Sequence, residues 1–230
     1  VLFRSYASIK FFLFTLFGSV FMLLGFLAMY FRSDVAGAHT FDILQLQAFA
    51  AQGGFSTGFQ LVAFGAIALG FAVKVPMWPF HTWLPDAHTE APTIGSVLLA
   101  GIMLKMGTYG FVRIALPLLP EGAQAYAPWI GLLSAIAIVY AALACLAQKD
   151  LKRLIAFSSV GHMGFVMLGI STLTSYGINA AMFGMVAHGL ITGMLFFVAG
   201  SAKDRYHTLE IKRLSGMLKQ IPKLGWIMGF

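Results

Sequence analysis

Long apolar stretches separated by short polar ones set the pattern of this chain. A membrane-crossing helix takes about 20 mostly apolar residues. Six runs meet that need: Lys10 to Phe31, Gly58 to Leu84, Ile94 to Leu116, Trp129 to Leu146, Leu154 to Leu173 and Tyr176 to Ala199. A seventh starts near Leu224, close to the last residue, Phe230. The pattern predicts an all-α fold, a polytopic transmembrane bundle with six full spanning helices, the start of a seventh, and one discontinuous helix near Lys74. Between the runs, His39 to Gln52 spaces Phe41, Leu44 and Phe49 for a short amphipathic helix on the outer face. His207 to Lys223 alternates Leu209, Leu214, Met217, Leu218 and Ile221 with basic residues, which predicts a helix lying on the cytoplasmic interface against anionic lipid.

Composition agrees: 59% of residues are hydrophobic and 10% charged, against roughly 25% charged in a soluble domain. The opening "VLFRSYASIK" has neither an initiator methionine nor the architecture of a signal peptide, so the sequence reads as an internal fragment. Cys145 stands alone in apolar sequence and reads as a small buried hydrophobe; disulfides, iron–sulfur clusters and thiolate zinc sites have no support.

The net charge of +7 changes the picture only through its distribution. If the segments alternate in direction, one side of the membrane receives Arg4, Lys10, Lys149, Lys152, Arg153, Lys203, Arg205, Lys212, Arg213, Lys219 and Lys223, and the other only Arg32 and Arg113. The positive-inside rule puts the basic side in the cytoplasm. A bilayer, not nucleic acid, is the partner this implies.

Lys74 and Lys105 fall on neither side. All the carboxylates lie outside the predicted spans, whereas Lys74, Lys105, His162 and His188 lie inside them. The last three sit near the middle of their runs, at about 12 to 18 Å of depth in a ~30 Å core. A lysine there costs roughly 3 kcal/mol on insertion scales, and such residues usually face a bundle interior or a wet path. Snorkelling to the headgroups is the alternative, and from the midplane the stem of Lys105 is too short for it. After Lys74, Pro76 and Pro79 remove backbone donors and break the helix, a device that recurs at transporter sites. His81 follows Lys74 by about two turns, on a similar face if the helix resumes. His162, in "SSVGHMG", has small and hydroxylic neighbours that leave room for water or a hydrogen bond. Histidine titrates near neutral pH, so these four groups and His81 are candidate proton carriers, although lone histidines on apolar helices are often satisfied core residues. His81, Asp86, His88 and Glu90 invite a metal, but their spacing matches no closed zinc pattern. No phosphate loop, haem site or flavin site is visible, so no cofactor is expected in this chain.

Three stretches then carry a resemblance: "KVPMWPFHTWLPDAHTEAPTIGSVLLAGIMLKMGTYGFVR", "DLKRLIAFSSVGHMGFVMLGI" and "MVAHGLITGMLFFVAG". They resemble the antiporter-like subunit M family of bacterial respiratory complex I, the counterpart of mitochondrial chain 4. The resemblance implies a proton-translocating subunit of NADH:quinone oxidoreductase in the bacterial inner membrane, packed among other membrane subunits. NADH, FMN, iron–sulfur clusters and quinone would lie on those other subunits. It implies two inverted five-helix repeats, with residues 1–116 ending the first and 117–230 beginning the second. Lys74 matches the broken-helix lysine of the proton path and Lys105 the lysine linking two half-channels. His81, His162 and His188 match histidines on or beside that path. The glutamate that pairs with Lys74 would lie on an earlier helix, outside this sequence. Mrp-type sodium/proton antiporters and membrane-bound hydrogenase subunits share part of the pattern and are the alternative; a purely structural anchor is another.

Overall fold

In a computed structural model, residues 2–34, 37–214 and 216–229 are described. They form an all-α bundle with six helices of membrane-crossing length: α1 (Leu2–Arg32), α3 (Thr57–Lys74), α5 (Thr93–Leu118), α6 (Pro120–Leu146), α7 (Leu151–Ser171) and α8 (Ser175–Tyr206). Shorter helices are α2 (Ile43–Ala51), α4 (Trp83–Glu90), α9 (Met217–Gln220) and α10 (Pro222–Gly229), the last occupying the start of the expected seventh segment.

Helix α7 is the most buried of the six and α1 the least. Leu13, Phe17, Val20 and Leu24 of α1 are exposed, which a helix apolar all round tolerates when lipid is the solvent. α1 packs on α3, α3 on α6, α6 on α7 and α7 on α8, while α8 also packs against the first half of α5. α4 lies across α1 and α7. The alternation of direction expected from the basic residues holds. At one end Lys10 Nζ reaches the Asp86 carboxylate at 2.7 Å, Arg153 lies 3.6 Å from the same carboxylate, and Arg4 lies 3.6 Å from Glu90. At the other end Arg32 sits over the Phe59 ring.

Four expectations need correction. The second segment does not run to Leu84: α3 stops at Lys74, and residues 75–82 form turns before α4. His81 therefore shares no helical face with Lys74. α6 starts at Pro120 rather than Trp129, because the Gln60 side chain accepts from the Glu121 N–H at 3.0 Å and satisfies one of the orphan donors of a helix start. On α2 the packed residues are Leu46 and Ala50, with Phe49 against the core, while Phe41 and Leu44 are exposed. The segment from His207 is not one helix. His207 takes left-handed backbone at the end of α8, and the backbone of residues 209–211 pairs with 149–151 through Leu151 N–H to Leu209 O and Ile211 N–H to Lys149 O, both 2.9 Å. Pairing holds that stretch extended, so only a short 3₁₀ turn, Ile211–Leu214, precedes α9.

Candidate functional site

α3 ends at Lys74 because the prolines after it cannot continue the ladder. A break inside a membrane frees carbonyls that must find donors. Trp83, buried at the start of α4, donates its indole N–H to the Val73 carbonyl at 3.0 Å, and its ring meets Phe11 of α1 at 5.2 Å. Lys74 itself is half-buried and faces a cleft of about 160 Å³ lined by Thr15, Ser19 and Met22 of α1 and Met106 and Gly107 of α5. No hydrogen bond or ion pair engages it among the described residues. Gly107 permits the approach: a Cβ there would lie 2.7 Å from Val75 and 3.1 Å from the Lys74 Cβ.

Lys105 lies two residues before Gly107, on the opposite face of α5. A five-residue π-helical turn, Leu99–Met103, precedes it. Its ammonium bonds the Ala100 carbonyl and lies 2.6 Å from Nδ1 of His188 on α8. The stem of Lys105 lines an open, apolar groove of about 560 Å³ between α5 and α8. α5 and α8 come together at Gly101 and Gly189, where a Cβ on Gly189 would lie 3.0 Å from the Gly101 carbonyl oxygen. His162 of α7 completes the cluster, its ring centroid 5.7 Å from that of His188.

The structure thus brings Lys105, His188 and His162 together and leaves Lys74 and His81 apart from them. Met106 borders both the Lys74 cleft and the Lys105 groove, and Lys74 and Lys105 open onto these two separate spaces. His81 is buried against Tyr140 of α6, with centroids 4.9 Å apart, and its Nδ1 has no hydrogen-bond partner among the described residues.

Two groups stand in surroundings that sequence reasoning did not give them. His88 is fully buried on α4, stacked on Phe196 at 4.5 Å, and neither ring nitrogen has a hydrogen-bond partner among the described residues. Burial first, then the positive charges of Lys152 and Lys105, holds it far below the usual imidazole range, at about 3. Lys152, counted as an interfacial base, is also fully buried and donates to the Ala91 carbonyl at 2.8 Å. Asp86 and Glu90, the carboxylates of the suspected metal cluster, instead meet bases of α1 and α7. Sequence offered one signal for His88, its place in a short polar helix between two spans.

Comparison with known proteins follows from this geometry. The family model described as "NADH:quinone oxidoreductase/Mrp antiporter, TM" matches residues 2–230. NADH-quinone oxidoreductase subunit M of Rickettsia bellii is 48% identical over 221 residues, covering 96% of this chain and 43% of that protein. A chain of respiratory complex I from Thermus thermophilus with bound NADH superposes with a TM-score of 0.89 at 33% identity, covering 96% of this chain and 46% of that one. A chain of the Mrp complex from Dietzia sp. DQ12-45-1b, at 22% identity and a TM-score of 0.85, covers 98% of this chain and 40% of its own and shares the fold. The chain therefore spans less than half the length of these relatives.

Proposed function

We propose a function from one premise: this chain belongs to the transmembrane family shared by NADH:quinone oxidoreductases and Mrp antiporters. It is part of an antiporter-like subunit M that moves protons across the bacterial inner membrane, among the other membrane subunits of an NADH:quinone oxidoreductase. NADH, FMN, iron–sulfur clusters and quinone are held elsewhere in that complex. The carriers are Lys105, His188 and His162 as one cluster, with Lys74 and His81 as further carriers at separate positions. Lys74 pairs with a glutamate elsewhere in the full-length subunit, as the family resemblance implies.

One observation carries the reading, the 2.6 Å contact between Lys105 Nζ and His188 Nδ1. An ammonium donates to an imidazole nitrogen in that geometry. A neutral amine accepts from a protonated ring in the same geometry. Moving one proton converts the first state into the second, and the two groups titrate as a pair. In a medium of low dielectric a charge arriving nearby shifts that balance far more than it would in water. His162, next in line, would feel each change on His188. A lysine at bilayer depth needs a polar partner in any role, and this one is itself able to carry a proton.

The test is Lys105→Ala in the full-length subunit of an assembled oxidoreductase, in inverted membrane vesicles. NADH-driven quenching of an acridine dye should fall more than tenfold while native gels show a complete complex. Normal quenching with defective assembly would make Lys105 a structural anchor. Exchange of sodium for protons under an imposed ion gradient, with no response to NADH, would favour the Mrp-type alternative.

A further inference from the structure

His88 takes no part in the cluster around Lys105. An imidazole brings one donor and one acceptor, and a buried polar group without partners in a native fold calls for an explanation. The surroundings of His88 supply one. Its ring is fixed by stacking on Phe196 at an interplanar angle of 17°, and its carbonyl accepts from the Ser96 hydroxyl at 3.2 Å. Three residues further on, the Ala91 carbonyl takes the ammonium of buried Lys152. Lys152 adjoins Arg153, which reaches Asp86 at the ion-paired end of the bundle. On the other side, Phe196 packs in one cluster with Ala100, whose carbonyl takes the ammonium of Lys105. His88 therefore lies within electrostatic reach of two lysines, each held by a backbone carbonyl.

We propose that His88 is a proton-transfer residue connecting the aqueous phase at the basic end of the bundle, through Lys152, to Lys105 and His188. A proton from the Lys152 ammonium, or from water bonded to it, forms an N–H bond on one ring nitrogen. The N–H bond on the other nitrogen breaks, and that proton passes, directly or over water, to the neutral amine of Lys105. One proton has moved, and the ring is left neutral in its other tautomer until it turns about the Cβ–Cγ bond. While both lysines are charged they oppose a third positive group within their reach, so the ring passes protons and does not store them. Once Lys105 is neutral that opposition weakens, which makes transfer depend on the state of the central cluster.

This inference rests on the transport function proposed above. Its test uses His88→Gln and His88→Phe in the intact oxidoreductase in inverted vesicles, with Lys105→Ala alongside. Glutamine keeps hydrogen-bonding capacity but cannot exchange protons through a ring; phenylalanine keeps the stack on Phe196. The expected result is assembled complexes with NADH-driven dye quenching at least fivefold slower for both His88 variants. If His88→Phe fails to assemble, His88→Gln decides. Assembled His88→Gln pumping at the unaltered rate overturns the role of His88; if Lys105→Ala is impaired in the same preparation, the transport function stands. Unaltered pumping in all three variants overturns both.

Discussion

Replacing Trp83 by Phe tests whether the indole holds the helix break closed. The substitution keeps an aromatic ring against Phe11 and deletes the N–H that donates to the Val73 carbonyl at 3.0 Å. Trp83 is only 1% exposed, so water cannot replace the lost donor without opening the site. A buried acceptor left unmade costs about 1–3 kcal/mol, and about 2 kcal/mol is a reasonable centre, because the smaller ring also gives up some packing. At 1.4 kcal/mol per factor of ten, local opening around the break should become about 30-fold more frequent. Hydrogen exchange read by mass spectrometry on the assembled complex reports this directly. Peptides spanning 71–84 should exchange about 30-fold faster, while peptides from α2, at the other end of the bundle, should not change. Unaltered exchange across 71–84 would refute the reasoning, since the Val73 carbonyl would then need no indole partner.

Asp86→Asn removes the charge that Lys10 and Arg153 share. Lys10 and Asp86 are mostly covered and Arg153 is about half exposed, so the loss should be about 1 kcal/mol. It should appear as a lower melting temperature of the purified complex, and Lys10→Met should add little on top of it in a double-mutant cycle. His88 predicts a pH dependence of stability. Its value of about 3 in the fold lies below the ordinary ~6.5 of an unfolded chain, so the fold favours the neutral ring. That contribution is complete above about pH 6.5 and is lost as pH falls toward 3, by at most about 1.4 kcal/mol per pH unit. Melting temperatures at pH 7.5 and 5.5 should therefore diverge more in the unaltered complex than in His88→Gln.

The spans were legible because a helix in lipid must be long and apolar, and length and hydropathy are what a sequence displays. The break after Lys74 was legible because proline lacks an N–H wherever it stands. What stayed hidden was rotation about the helix axes. Helices apolar on every side carry no polar face to reveal which way a residue points, so depth placed Lys105, His162 and His188 near one level without pairing Lys105 with His188, 83 residues away. The same blindness put Lys74 and Lys105 in one row, although the two open onto separate spaces, both bordered by Met106. The early start of α6 depends on a side chain from another helix, Gln60, and no local pattern announces that. The sequence set His88 beside carboxylates, whereas in space it stacks on Phe196 within electrostatic reach of two lysines.

At Gly101 and Gly189 two main chains rest almost directly on one another. Flexible side chains could cushion a small displacement, but a contact of backbone on backbone has no such slack. Any push that slides α5 relative to α8 must therefore be felt undiminished a few ångströms away, in the spacing between an amine and a ring nitrogen. The glycine pair ties the spacing of that amine and ring nitrogen to the register of the two helices.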